Sequence, residues 1–174
     1  MDDFTYQNGE LLCERLAARD IAERVATPSY VYSAATLTGH HDRLTRAFAP
    51  LHPTICFSVK SCPNTHLLRL LAQRGSGFDV VSGGELFRAR RAGADMTKIV
   101  YAGVGKTDAE IDAALAAGIG LFNVESAGEL DTLAARCARA RAAARIARQP
   151  GRRRPHPPPH HHRHPRDQVR RAVR

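Results

Sequence analysis

From residue 55 onward, short apolar runs alternate with amphipathic segments about every 20 residues. The runs are rich in β-branched and aromatic residues and predict strands at 55–59, 78–81, 98–102, 121–124 and, as a possible fifth, 144–147. Between them, apolar residues recur at every third or fourth position, which predicts helices with one buried face. Alternating strands and helices imply βαβ crossovers and a parallel sheet, either a (β/α) barrel or an open doubly wound sheet.

Capping signals mark the ends of the predicted helices. Asn64 precedes THLLRLLAQR and Gly75 closes it, while Thr107–Glu110 and Ser126–Glu129 match the S/T-x-x-E capping box. Upstream, TPSYVYS at 27–33 predicts another strand, followed by an amphipathic helix over roughly 36–48. The pattern leaves open whether this upstream strand belongs to the sheet or to a separate lobe.

Charge is distributed unevenly along the 174 residues. The whole chain is formally +9, but residues 144–174 hold ten arginines and one aspartate, which leaves 16 basic and 16 acidic residues before them. The body is therefore neutral, and the excess positive charge lies in the arginine-, histidine- and proline-rich tail. With 43% hydrophobic residues, the chain can form one domain with a substantial core.

The cysteines and the apolar runs indicate the cellular compartment in which the chain is expected to function. The four cysteines form no CxxC pair, which favours free thiols in a reduced protein over a disulfide or zinc framework, and we expect no metal site. No apolar run approaches 18 residues, and the first ten residues are acidic and polar. We therefore expect a cytoplasmic protein without a membrane span or signal peptide.

Lys60 is the first candidate for chemistry. In ICFSVK the strand alternation puts Ile55, Phe57 and Val59 on one face and Cys56, Ser58 and Lys60 on the other. If the bulky face meets the helices, Lys60 lies inside at the carboxyl end of its strand, where α/β folds place their ligands. A partly desolvated amine there would be a nucleophile for a carbonyl. A solvated lysine at a strand end is the alternative.

Asp79 is the second candidate, in GSGFDVVSGGEL at 75–86. A strand followed by a glycine-rich turn that opens a helix can bring backbone amides to an anion. The segment lacks the third glycine of the dinucleotide fingerprint. Asp79 alternates with Phe78 and Val80, so its carboxylate could lie inside with Lys60, either against a cofactor or in a structural ion pair.

Two further segments are weaker candidates. VYAGVGKTD at 100–108 follows a strand and opens a helix, but Val100 stands where the phosphate-binding P-loop needs glycine, so Thr107 is better explained as a helix cap. Glu125 ends another strand, and a surface or packing role suits it equally well.

In this order and spacing, the segments from residue 4 to 147 resemble the amino-terminal half of the fold type III pyridoxal-phosphate decarboxylases, in particular the diaminopimelate decarboxylases. The segments are FTYQNGELLCE, TPSYVYS, CFSVKS, GFDVVSGGELFRARRAGAD, KIVYAGVGKTDAEI and FNVESAGEL. The SCPN that follows Lys60 departs from the family's usual alanine-asparagine. The resemblance implies an α/β fold, namely an incomplete (β/α)8 TIM-type barrel of the alanine-racemase-like fold. It divides the chain into an amino-terminal segment (1–35), part of the barrel (36–147) and the tail (148–174).

The resemblance also implies a reaction and a cofactor. Lys60 would be the lysine that attaches pyridoxal 5′-phosphate, and Asp79 the acidic residue near it. The substrate amine would displace Lys60, carbon dioxide would leave with the ring as electron sink, and protonation would release the product. The opening segment favours meso-diaminopimelate, which yields L-lysine. The alternatives are an ornithine or arginine decarboxylase fragment and a non-catalytic pyridoxal-phosphate-binding homologue.

Much of the family pattern is absent from this sequence. The later barrel strands, a histidine-glycine-serine segment, a glutamate-proline-glycine-arginine phosphate site and the carboxyl-terminal β-domain do not occur in it. Too few strands to close a barrel leave an unpaired edge and an uncovered interior. We therefore expect a truncated chain that is marginally folded and inactive alone. The family is homodimeric and acts on a small amino acid, but we do not expect this chain to dimerise or to bind nucleic acid.

The tail itself carries a trace of the missing barrel. When Arg148 and the residues after it are back-translated and read one base later, the degenerate codons permit Val-Asn-Pro-Asp-Val-Asp-Ala-His-Thr-His-Pro and, further on, Thr-Lys-Phe-Gly. These are segments that the family places after its fifth strand. We interpret the tail as a frameshift product. A tail that binds nucleic acid or metal is the remote alternative.

Sequencing the DNA at the junction near Ala147 tests this interpretation. The frame one base later should encode the rest of a decarboxylase without interruption. Unrelated DNA downstream would contradict the frameshift, and salt-dependent nucleic-acid binding by the chain would favour a functional tail instead.

Overall fold

The computed structural model describes residues 2–148, in which the strands form two separate sheets. Three short strands near the amino terminus form an antiparallel sheet, and five later strands form a parallel sheet in the order β4-β5-β6-β7-β8. The strands are β1 (Phe4–Gln7), β2 (Glu10–Cys13), β3 (Leu16–Ala17), β4 (Cys56–Ser58), β5 (Gly77–Val80), β6 (Ile99–Tyr101), β7 (Leu121–Val124) and β8 (Ile146–Arg148).

One helix follows each of the first four parallel strands, as the alternating pattern predicts. The helices are α1 (Ala18–Val25), α2 (Ala34–Phe48), α3 (Thr65–Ala72), α4 (Gly83–Arg91), α5 (Asp108–Ala117) and α6 (Ala127–Ala140). None of them is long and apolar enough to cross a membrane, and this holds for the described part of the chain.

The register of the parallel strands sorts their side chains into two faces. Phe57, Phe78 and Ile99 occupy one row, and the last two are fully buried in the helix-facing core. Tyr101 and Phe122, one pair further along, are also buried and stack with ring centroids 6.0 Å apart. This core stabilises the sheet because each buried aromatic or aliphatic side chain contributes about 1.5–3 kcal/mol.

The opposite face of the parallel sheet is only half-buried. Its central row contains Ser58, Asp79, Val100 and Leu121, each of intermediate exposure. In the order of the described strands, β4 and β8 each have a neighbour on one side only. The expected fold class is therefore confirmed as an α/β partial barrel with two sheet edges and an inner face that no described element buries completely.

The amino-terminal segment differs from the prediction. Residues 27–33 form no strand, and Tyr30 is 92% exposed. Apolar alternation favours an extended chain, but a strand also needs a neighbour with which to exchange backbone hydrogen bonds, and none of the described strands pairs with this segment. The antiparallel hairpin of β1 and β2, which was not predicted, turns at Asn8 and Gly9, both with positive φ.

Side-chain hydrogen bonds join this hairpin to the start of α2. Glu14 accepts hydrogen bonds from the Ser33 hydroxyl and the Ala35 amide, both at 2.9 Å, which lowers the pKa of Glu14. Asp3 exchanges hydrogen bonds of 2.8 and 2.9 Å with Thr36. The amino-terminal segment is thus attached at the point where α2 begins.

The predicted caps are present with one difference. Asn64 caps α3 by accepting from the His66 amide, and Thr107 and Glu110 form the complete capping box of α5. Ser126 accepts from the Glu129 amide, but the Glu129 carboxylate binds the amide of Glu125 instead of that of Ser126. The helix starts were therefore readable from sequence, although the last box is shifted by one residue.

A substitution at Gly77 tests how closely the backbones of β4, β5 and β6 approach one another. A Cβ there would lie 2.8 Å from the Cys56 sulfur and would also collide with the Lys98 carbonyl oxygen. We expect Gly77→Ala to lower the free energy of unfolding by about 1–3 kcal/mol because the backbone must shift. Gly105→Ala is the control, since no atom lies within 4 Å of the position that its Cβ would take and its φ is not left-handed. Equal urea midpoints for the two variants would contradict this packing.

Candidate functional site

The candidate residues lie at and beyond the carboxyl ends of neighbouring parallel strands. Lys60 follows β4, and Asp79 lies within β5, where it pairs in register with Ser58. Parallel strands share one carboxyl edge, so the turns after them meet there. The structure therefore brings the two residues singled out by the sequence to adjacent strands.

Lys60 is not placed by strand alternation. Strand β4 ends at Ser58, and residues 59–61 form a 3-10 turn that is held by the bond from the Cys62 amide to the Val59 carbonyl at 3.1 Å. Val59 is fully buried, whereas Lys60 is exposed and pairs with no carboxylate of residues 2–148. Of the two interpretations left open for Lys60, the described chain therefore has the solvated lysine and not the partly desolvated amine, because no described element covers the open face.

Asp79 has the environment expected of a residue that binds a partner. Its Oδ1 atom is buried and has no hydrogen-bond partner within the described chain, so the ion pair weighed as an alternative is not formed. Burial, and after it the nearby Asp79 carboxylate, raises the pKa of the Cys56 thiol. A buried carboxylate oxygen without a donor costs free energy, which a cationic or hydrogen-bond-donating ligand would recover.

The glycine-rich turn after β5 does not present all its amides to a ligand. The Val81 amide donates to Glu85 at 2.8 Å, and the Gly83 amide donates to Glu110 at 2.7 Å. Ser82 caps α4 by accepting from the Glu85 amide. Carboxylates of the protein therefore occupy two of the donors that the sequence suggested for an anion.

Glu110 joins two successive βα units. One of its carboxylate oxygens binds the Gly83 amide, and the other binds the amide and hydroxyl of Thr107 at 2.9 Å each. The backbone bond from Thr107, followed by that from Gly83, lowers the pKa of Glu110. Burial, followed by the Glu110 charge, raises the pKa of Tyr101 beneath it. Glu110 is thus a fixed anion that holds the turn after β5 in place.

Lys106 connects the next two units. Its side chain is 1% exposed, and its ammonium donates to the carbonyls of Gly103 at 2.7 Å and Asn123 at 2.8 Å and to the carboxylate of Glu129. These partners occupy all three ammonium protons. Lys106 is therefore a structural cation and not the phosphate-binding lysine of a P-loop, in agreement with the sequence interpretation.

The remaining candidate carboxylate, Glu125, is exposed at the end of β7. Its backbone amide donates to Glu129 at 3.0 Å, and none of the ion pairs in residues 2–148 includes its side chain. A surface position therefore accounts for Glu125.

Sequence reasoning missed the roles of Glu85, Glu110 and Lys106 in fixing the rim, which consists of the turns that follow β5 and β6. Each lies within a recognisable helix start, but the partners of Glu110 and Lys106 are up to 27 residues away. The capping-box spacing of Thr107 and Glu110 indicates only a helix start, and Lys106, between Gly105 and Thr107, carries no local signal of its distant partners.

A lysine and an unsatisfied carboxylate at the carboxyl edge of a parallel partial barrel define a class of protein, the α/β barrels that hold a small ligand at this edge. The family model described as "Pyridoxal-dependent decarboxylase, pyridoxal binding domain" matches residues 34–155. The chain belongs to the pyridoxal-dependent decarboxylases and matches their pyridoxal-binding domain over these residues.

Its relatives are named diaminopimelate decarboxylase. The enzyme of Neisseria meningitidis serogroup B is 46% identical over 71% of this chain and 30% of its own length, and that of Pseudomonas aeruginosa is 45% identical over 76% and 32%. The crystal structure of diaminopimelate decarboxylase from M. jannaschii in complex with L-lysine is 32% identical, with a TM-score of 0.79 over 83% of this chain and 35% of that one. The chain therefore spans about a third of the length of these relatives.

The residues present fit pyridoxal phosphate, the cofactor of this family. Lys60 supplies an exposed primary amine, and Asp79 supplies a buried carboxylate oxygen that lacks a donor within the described chain. A cofactor that carries an aldehyde and a basic ring nitrogen can use both groups.

Lys106→Met tests the rim. Loss of the ammonium leaves two carbonyls and a largely buried carboxylate without their donor, so we expect the free energy of unfolding to fall by about 3 kcal/mol. Lys60→Met is the matched control because Lys60 is exposed, and a change within about 0.5 kcal/mol is expected. Urea unfolding measures both. Equal losses in the two variants would contradict the structural role of Lys106.

Proposed function

We propose that this chain is the pyridoxal-phosphate-binding part of a decarboxylase that converts meso-diaminopimelate to L-lysine. The observation that carries the proposal is the combination of an exposed Lys60 with the donor-less Asp79 carboxylate on adjacent strands of the partial barrel. The names of the relatives, together with the L-lysine bound to one of their crystal structures, support the choice of substrate.

Each residue has a distinct task in this proposal. Lys60 holds the cofactor through its amine, and it lies on a turn whose backbone is fixed by the buried Val59. Asp79 supplies negative charge next to the bound group and favours its cationic form. When bound, pyridoxal phosphate supplies the electron sink that makes the loss of carbon dioxide possible.

The open face suggests what the described residues contribute and what they leave to others. Residues 36–147 provide the amine, the carboxylate and one wall, but the concave face around Asp79 stays half-exposed. Catalysis in water-free surroundings needs further walls. The proposal therefore assigns cofactor attachment to this chain and expects no decarboxylation from residues 1–174 alone. The tail at 148–174 lies outside the described residues, apart from Arg148 at the end of β8.

Two alternatives remain for the same fold. An ornithine or arginine decarboxylase would use the same Lys60 and Asp79, since the proposal assigns both residues to the cofactor and neither to the distal end of the substrate. A non-catalytic homologue would also bind the cofactor. Diaminopimelate is favoured because the relatives at 45–46% identity carry that name.

Reductive labelling tests the attachment residue. The sequence has only three lysines, Lys60, Lys98 and Lys106, and Lys106 is buried with all its protons used. We expect the purified chain, incubated with pyridoxal phosphate and then borohydride, to carry the pyridoxyl group on Lys60, as located by mass spectrometry of its peptides.

Variants separate specific attachment from surface labelling. Lys60→Ala should abolish both the label and the absorbance of the bound cofactor, whereas Lys98→Ala should retain them. Asp79→Asn should weaken cofactor binding about tenfold, the loss expected for one charge-assisted interaction. Labelling spread equally over Lys60 and Lys98 would contradict the proposed site.

A further inference from the structure

A cavity lies at the amino-terminal ends of the parallel strands, away from the edge where Lys60 is found. It has a volume of about 90 Å³ and is enclosed by α2, the segment that leads into β4, the end of α3 and the start of β6. Its lining includes His41, Arg74, Gly75 and Lys98.

His41 is the unexplained group in this cavity. Its side chain is 9% exposed, yet neither ring nitrogen has a hydrogen-bond partner within the described chain. The nearest carboxylate oxygen, on Asp42, lies 3.8 Å from Nδ1, beyond hydrogen-bond distance. An imidazole always carries at least one N–H, and leaving that donor buried without an acceptor costs about 1–3 kcal/mol.

The charged groups at the cavity are predominantly cationic. Arg74 pairs with Asp42, which lowers the pKa of that carboxyl. The Lys98 ammonium donates only to the Gly75 carbonyl, at 3.1 Å, and pairs with no carboxylate of residues 2–148. The cavity lining therefore includes two cations, Arg74 and Lys98, and no carboxylate of residues 2–148. Two carboxylates lie nearby but outside the lining: Asp42 pairs with Arg74, and the pKa of Asp95 is lowered first by hydrogen bonds from Thr97 and also by the charge of Lys98.

Size and charge together select the class of ligand. A cavity of about 10–15 Å³ holds one water, so this cavity has room for several waters or for one small tetrahedral oxyanion. Water would satisfy the imidazole donor but would leave the two lining cations without an anion inside the cavity. An oxyanion satisfies both, because it accepts several hydrogen bonds and carries negative charge.

We propose that this cavity is a binding site for a small inorganic oxyanion, phosphate or sulfate, held by His41, Lys98 and Arg74. The ion would connect α2, the end of α3 and the start of β6, which otherwise meet here through the Arg74–Asp42 pair and the bond from Lys98 to Gly75. The site is independent of the cofactor, whose attachment residue lies at the other end of the strands.

Inorganic phosphate is the probe, added to the full chain at constant pH and at an ionic strength held constant with chloride. We expect the unfolding temperature to rise with phosphate concentration, because a ligand that binds the folded chain stabilises it. Calorimetric titration should show saturable binding with a measurable Kd. Lys98→Met should weaken that Kd about tenfold, as should His41→Leu, because each removes one donor to the ion. His41→Gln keeps a donor and should retain binding.

The matched control is Arg24→Met, which removes one exposed cation from α1, outside the cavity. It should leave the Kd unchanged. Phosphate bound by the arginine-rich tail or at the cofactor site would be unaffected by Lys98→Met. Equal phosphate binding by the original chain and by Lys98→Met therefore overturns the proposal, even if His41→Leu does not fold. Absence of phosphate-specific stabilisation in the original chain overturns it as well, and would mean that water alone fills the cavity.

Discussion

The shared register of the parallel strands is the constraint on which the rest of this structure depends. Alternation within one register sends Phe78 and Val80 into the helix-facing core, where both are fully buried. The same alternation forces Asp79, between them, onto the opposite face beside Ser58. A slip of one residue would bury the carboxylate among the helices and expose two large apolar side chains. The hydrophobic core and the candidate cofactor carboxylate therefore have a single physical cause, and neither can move without the other.

The rim above the sheet is held by charges and not by packing. Glu110 binds the turn after β5, and Lys106 binds the turn after β6 together with the end of β7. Glu110, on α5, reaches back to the turn after β5, and Lys106, in the turn after β6, reaches forward to β7 and α6, so the turns are attached in sequence around the edge. The arrangement also limits the chemistry, since the amide of Gly83 and the ammonium of Lys106 are no longer available to a ligand. Of the cationic and anionic groups considered at this edge, Lys60, Asp79 and the exposed Glu125 keep unused capacity within the described chain.

Local signals predicted most of the barrel elements, and non-local contacts account for the errors. The strands and the caps at Asn64 and Thr107 follow from period and spacing, which act over a few residues. The strand expected at 27–33 is absent because pairing needs a neighbouring edge, which no local pattern guarantees. The β1–β2 hairpin was missed although Asn8-Gly9 is a strong turn signal. Asp79 was placed correctly by alternation, whereas Lys60 was not, because a 3-10 turn begins at Val59 and ends the alternation.

An active site must combine cofactor attachment with substrate selection, and the exposure of Lys60 means that these two properties have to be considered separately here. An amine on a fixed turn can be attached to a cofactor without being desolvated, since attachment depends on position and on a neighbouring carboxylate. Selectivity for one amino acid depends instead on walls that exclude water and contact the far end of the substrate. The described residues supply the first set of features, and the half-exposed row of Ser58, Asp79 and Val100 shows that they do not supply the second. In the proposed decarboxylase, residues beyond the described barrel segment therefore determine which amino acid is the substrate.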